Sequence, residues 1–174
     1  MRKLAIAIAA IGVAVAIYYG VRSRPANAPV ARSSVAPAAP ALALVDLSGS
    51  RIDTSSYAGK IVLINFWAAW CTPCAAEIPQ LVALQDRYGA RGFQVIGISM
   101  EDTDKALRDF YRSYKMNYPV VPGSAKIAEA YGGILGLPTT FLVGRDGRIQ
   151  SKYAGLLDFP KLEQEIVALL PGKP

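Results

Sequence analysis

Three short, nearly unbroken apolar runs mark the chain beyond residue 42: Ile61–Trp67 (IVLINFW), Phe93–Ser99 (FQVIGIS) and Thr139–Val143 (TTFLV). Runs of this length predict strands buried on both faces, as in a sheet covered by helices. A helical pattern over about 72–88 separates the first two. Asp102 or Thr103 can cap a second helix over about 103–115, and a shorter one near 124–131 ends at Gly132-Gly133. Asp146-Gly147, between TTFLV and RIQSKY, predicts a two-residue hairpin. After it Ile149, Ser151 and Tyr153 alternate with Gln150 and Lys152, as on a half-exposed strand. Asp158 can cap a last helix that carries Phe159, Leu162, Ile166 and Leu169 on one face. Upstream, Leu42–Leu47 alternates weakly, and Ser48-Gly49 can turn the chain back toward Ile52. Strands alternating with helices predict an α/β domain: a central mixed sheet with helices on both sides.

The start of the chain follows a different pattern. After basic Arg2 and Lys3, residues 4–21 run LAIAIAAIGVAVAIYYGV without a charge. As a helix this run reaches about 27 Å, close to the span of a hydrocarbon core. Tyr18 and Tyr19 fall at its outer end, where aromatic rings favour the interface. Residues 1–21 are therefore an uncleaved membrane anchor or a cleaved secretory signal. A signal has an apolar region of roughly 7–15 residues, which this run exceeds. The best downstream cleavage site, Ala26-Asn27-Ala28, would leave Pro29 first. Length and flanks thus favour the anchor. Residues 22–41 (RSRPANAPVARSSVAPAAPA) read as a semi-extended Ala/Pro/Ser-rich linker. Residues 42–174 remain for the globular domain.

Charge sharpens this division. The net charge is +6, but residues 1–41 hold Arg2, Lys3, Arg22, Arg24 and Arg32 and no acid. The remainder is nearly balanced and has no basic excess with which to bind nucleic acid. The chain contains no histidine. That excludes Ser/His and Cys/His catalytic pairs and most zinc or copper sites; no metal or cofactor is expected beyond a redox-active Cys71–Cys74 disulfide.

The two cysteines sit in Trp70-Cys71-Thr72-Pro73-Cys74, after an apolar strand and at the start of a helix. Unpaired N–H groups and the helix dipole stabilise a thiolate at Cys71. Pro73 suits the first turn, where its missing N–H costs nothing. The spacing lets Cys74 reach back to Cys71. Attack by Cys71 on a partner disulfide gives a mixed disulfide, and Cys74 resolves it. A purely structural bridge is a poor alternative, because closing so small a loop removes little chain entropy. A zinc site lacks ligands.

With these residues in view, 42–174 resembles the thioredoxin superfamily, and more closely its membrane-anchored TlpA/ResA/CcmG-like thiol-disulfide oxidoreductases. The matching segments are NFWAAWCTPCAAEIP (65–79), GISMED (97–102) and YGGILGLPTTFLVGRDGRI (131–149). The resemblance implies a thioredoxin fold with an N-terminal β-hairpin and a central βα insertion, which the stretch Glu101–Leu137 can hold. It implies that the Leu137–Pro138 peptide is cis and faces the cysteines. Leu137 and Pro138, with Trp70, Thr72 and Pro73, would then contact an extended substrate. Glu77 matches an acid near the active site of this branch; it either takes the Cys74 proton or complements the helix dipole as a first-turn acid. Asn65 stands where general thioredoxins have a buried aspartate, so that proton-handling group is absent.

The resemblance further implies a monomeric extracytoplasmic enzyme that reduces protein disulfides, with apocytochrome c among the substrates. It implies a membrane electron donor of the DsbD/CcdA type and residence on the periplasmic side of the cytoplasmic membrane. Two other readings share the fold. A peroxiredoxin-like peroxidase needs its cysteine in a P-x-x-x-[TS]-x-x-C setting, which Trp67–Cys74 does not supply. A Sco-type copper chaperone needs a distal histidine, which the chain lacks.

Overall fold

The computed structural model describes residues 36–100 and 103–172. The expected anchor, and the linker as far as residue 35, lie outside the described residues, as do Glu101 and Asp102. In chain order the elements are β1 (Ala43–Val45), β2 (Arg51–Asp53), a 3-10 turn (Thr54–Tyr57), β3 (Ile61–Trp67), α1 (Thr72–Tyr88), a second 3-10 turn (Gly89–Arg91), β4 (Phe93–Ser99), α2 (Asp104–Ser113), β5 (Val120–Pro122), α3 (Ala125–Ala130), β6 (Thr139–Val143), β7 (Ile149–Ala154) and α4 (Phe159–Leu169).

β5, β4, β3, β6 and β7 form one mixed sheet in that order. β3 pairs parallel with β4 and antiparallel with β6, so it is central and every one of its residues is buried. Successive side chains alternate between two cores. Ile61, Leu63 and Trp67 face one side with Val95 and Leu142, against Ile78 and Leu81 of α1, Leu107 of α2, and Leu162 and Ile166 of α4. Val62, Ile64 and Phe66 face the other, with Ile98 and Phe141. That second side is covered by Leu44 and Ile52 of the β1–β2 hairpin and by Tyr131 just after α3. The expected hairpin therefore has a packing role: it closes a face that the short α3 alone would leave open.

Caps follow the sequence chemistry. Thr103, Ser124 and Asp158 accept from the backbone N–H three residues on, at the starts of α2, α3 and α4. α1 continues through Pro79 to Tyr88.

Three features differ from the pattern. The inserted strand, β5, carries no clear local signal, since prolines stand at both ends of residues 119–122. It forms at the sheet edge, where a missing N–H is tolerated, parallel to β4. The turn after β6 is longer than two residues. A register shift follows Leu142, Gly147 N–H donates to Gly144 O (2.9 Å), and Ile149 N–H donates instead to Pro37 O (2.8 Å). The chain thus joins the domain from Ala36 rather than Leu42. Ala39 N–H donates to Gly147 O, Ala38 bridges Arg148, and the Arg148 guanidinium donates to Ala36 O. Composition alone hid this, since an Ala/Pro segment satisfied by backbone hydrogen bonds looks like linker.

Candidate active site

Cys71 is the N-cap of α1, with its backbone extended while the next residue is helical. Its Sγ accepts from Cys74 N–H at 3.3 Å. The two cysteines are joined as a disulfide, with Cα atoms 5.2 Å apart. Both cysteines are buried, Cys71 (5% exposed) slightly less than Cys74 (1%). β3 delivers the pair: its last residue is Trp67, and a tight connection (Cys71 N–H to Ala68 O, 3.1 Å) swings the chain into the helix. Trp70 stands out at 63% exposed, beside exposed Thr72 and Pro73.

The second loop of the site is 135–138. The Leu137–Pro138 peptide is cis, as the resemblance implies. Pro138 is buried and its carbonyl accepts from Gly155 N–H at 2.9 Å. Leu137 is half-buried and packs against the core that holds both cysteines. A hollow of about 190 Å3 beside it is lined by Leu135, Leu137, Lys152 and Gly155. Leu135 and Leu156 are both exposed large apolar side chains.

Glu77 is 2% exposed. It lies beyond the first turn of α1, which contains no acid, so the expectation of a first-turn acid complementing the dipole is not met. The spacing i, i+3 places it on the same buried helix face as Cys74. One oxygen, Oε1, accepts from Leu157 N–H at 2.5 Å and ties α1 to the loop before α4. The other, Oε2, has no partner. Burial pushes the Glu77 carboxyl above the ordinary range, and the Leu157 hydrogen bond opposes this. A carboxyl whose proton affinity is raised by burial can take a proton from a neighbouring thiol and return it. The sequence pointed to Glu77 but not to Leu157, whose contribution is a backbone N–H and has no residue signature.

Asn65 is buried, and its Nδ2 donates to Thr140 Oγ1 at 2.9 Å. This hydrogen bond cross-links β3 and β6 at a paired position of their ladder. Among the described residues there is no cluster of three or more His, Cys, Asp or Glu side chains that could hold a metal ion.

A mixed sheet flanked by helices, with a dithiol pair at the first turn of the helix that follows the central strand, defines a thioredoxin-fold thiol-disulfide oxidoreductase. Known proteins agree. Residues 35–152 match the AhpC/TSA family. The thiol-disulfide oxidoreductase ResA of Bacillus thuringiensis subsp. konkukian is 32% identical over 76% of this chain and 77% of its own length. ResA of Bacillus subtilis is 30% identical over 78% and 75%. The crystal structure of a thioredoxin-family thiol:disulfide interchange protein from Chlorobium tepidum superposes with a TM-score of 0.74. That structure is 27% identical and the match covers 78% of this chain and 97% of that one. The chain belongs to the AhpC/TSA family of the thioredoxin superfamily, and its relatives place it with the ResA-type thiol-disulfide oxidoreductases.

Proposed function

We propose that the chain is an extracytoplasmic reductant of protein disulfides, held at the periplasmic face of the cytoplasmic membrane by residues 4–21 and spaced from it by the following Ala/Pro/Ser-rich segment. The carrying observation is the cysteine pair itself: Cys71 at the helix N-cap, Cys74 more deeply buried within the first turn, and a buried carboxyl one turn on. In the reduced form the Cys71 thiolate attacks one sulfur of a substrate disulfide and expels the other as a thiolate. Cys74 then loses its proton to Glu77 and attacks Cys71 Sγ, which releases the second substrate thiol. Two electrons leave the enzyme and the Cys71–Cys74 disulfide forms. A membrane donor of the DsbD/CcdA type restores the dithiol. The exposed Trp70 and the Leu135–Pro138 loop receive an extended polypeptide, with apocytochrome c, which the resemblance of the sequence implies, as the substrate.

Direction is argued from Pro73. A proline just before the second cysteine resembles reducing thioredoxins rather than strong oxidants. A redox titration against glutathione is expected to give roughly −200 to −280 mV. A value of about −120 mV, that of a strong oxidant, would overturn the reductive assignment.

A further inference from the structure

Three stretches leave the central sheet at one end. Phe66 of β3 pairs with Thr139 of β6, and Thr139 pairs with Ala154 of β7. Just beyond these paired positions lie the connection from Ala68 to Cys74, the 135–138 loop and the segment 155–157. The last of these ties the other two together. Gly155 N–H donates to Pro138 O at 2.9 Å, and Leu157 N–H donates to Glu77 Oε1 on α1. Five large apolar side chains are exposed among the described residues, and three of them, Trp70, Leu135 and Leu156, stand on these stretches. Apolar exposure is thus concentrated at the disulfide end of the sheet.

The hollow of about 190 Å3 lies here, between the ends of β6 and β7. Leu135 and Leu137 line it from one loop, and Lys152, Ala154 and Gly155 from β7 and the residue after it. A Cβ added at Gly136 or Gly155 would meet nothing within 4 Å, so the loops themselves do not fill the space. The volume is below the roughly 300 Å3 of a small-molecule pocket and suits a single side chain. Lys152 is the one charged residue in the lining. Its ammonium lies over the Phe141 ring, 5.2 Å from the centroid, and makes no ion pair among the described residues. The carboxylate of Glu165 is taken by the Ser151 and Tyr153 hydroxyls, on the opposite face of β7.

We propose that this hollow is a specificity site for the polypeptide substrate: it receives an apolar side chain two or three residues from the reacting cysteine, and Lys152 favours an acidic residue next to it. This deepens the disulfide-reductant reading and rests on it. The spacing follows from the sheet. Neighbouring strands stand about 4.8 Å apart, so the ends of β6 and β7 are on the order of 5–10 Å from the end of β3 that leads into Cys71. An extended chain advances about 3.3 Å per residue and covers that distance in two or three residues. An apolar side chain seated there leaves water for Leu135 and Leu137. Lys152 adds the attraction of an exposed charge, which is modest and weakened by salt. Leu135 and Lys152 select the substrate and take no part in the exchange of sulfurs.

The test uses the reduced full chain and three synthetic peptides, each closed by one disulfide. The first carries leucine and glutamate at the second and third positions to either side of one cysteine. The second has serine for the leucine, and the third has lysine for the glutamate. KM should be lowest for the first peptide, roughly 10-fold higher for the serine peptide, and about 2- to 5-fold higher for the lysine peptide at low salt only. Leu135→Ser should erase the leucine preference and Leu135→Met keep it. Lys152→Gln should erase the glutamate preference and Lys152→Arg keep it. Each comparison is a ratio within one variant, so a general loss of activity does not enter it. Equal KM values for the leucine and serine peptides, or a leucine preference that survives Leu135→Ser, overturn the site. Equal values for the glutamate and lysine peptides overturn the role of Lys152. The same peptides with serine at both cysteine positions are titrated against the oxidised chain and followed through its backbone amide shifts. Shifts at residues 135–137 and 152–155 in the same order of affinity support the site independently of turnover. A chain that binds in that order but reduces no peptide overturns the reductant reading and leaves the specificity site standing.

Discussion

Glu77 combines two separable jobs, and two substitutions divide them. Glu77→Ala removes the acceptor of Leu157 N–H and leaves that buried donor without a partner, at a cost of about 1–3 kcal/mol before any loss of packing. Glu77→Gln keeps an oxygen at the Oε1 position, so the tie to Leu157 survives, but it removes the ionisable group. The sign of the pH effect follows from burial. The folded-state pKa lies above the unfolded value near 4.5, so the protonated form is the one the fold favours. The corresponding stability is full below about pH 4.5 and is lost as pH rises through the folded value. The glutamine variant has no such slope. It should match the wild type near pH 4 and exceed it near pH 8 in urea unfolding of the oxidised protein. In disulfide exchange the same variant should be slower by roughly 10- to 1,000-fold, the scale of a lost general base. A stability difference that is flat between pH 4 and pH 8 would refute the burial argument. A glutamine variant that exchanges at the wild-type rate would refute the catalytic one.

Two further outcomes are expected. Asn65→Ala removes the buried donor to Thr140 Oγ1 and opens a small cavity between β3 and β6, so it should cost about 2–3 kcal/mol in urea unfolding while leaving the cysteine pair in place. The full chain should remain with the membrane fraction through a carbonate wash, because insertion of a spanning helix is effectively irreversible; a mature protein that begins near Pro29 and is free in the soluble fraction contradicts the anchor.

The strands and helices that carry the site were legible because their signals are local. β3, β4 and β6 are continuous apolar runs, α1 opens on Cys71 with Pro73 in its first turn, and Asp158 caps α4. The cysteine pair was legible from spacing, and Pro138 and Glu77 from resemblance. Features set by long-range pairing were not. β5 is held by register with β4 at Gly97–Val120, which no local pattern around its prolines encodes. The joining of Ala36–Ala39 to the β6–β7 turn depends on backbone hydrogen bonds across more than a hundred residues of chain. Glu77 illustrates both sides: its position was readable, but its depth and its bond to Leu157 exist only once α4 closes over the helix.

The central claim is that Cys71 attacks the substrate disulfide and Cys74 resolves the adduct. The most direct measurement is to challenge Cys74→Ser and Cys71→Ser with the same disulfide-bonded protein substrate and to quantify covalent adducts on non-reducing gels. The N-cap position of Cys71 and the deeper burial of Cys74 predict stable mixed disulfides on Cys71 in Cys74→Ser, and neither adduct nor exchange in Cys71→Ser. Adducts that accumulate on Cys74 in the Cys71→Ser variant would contradict the account.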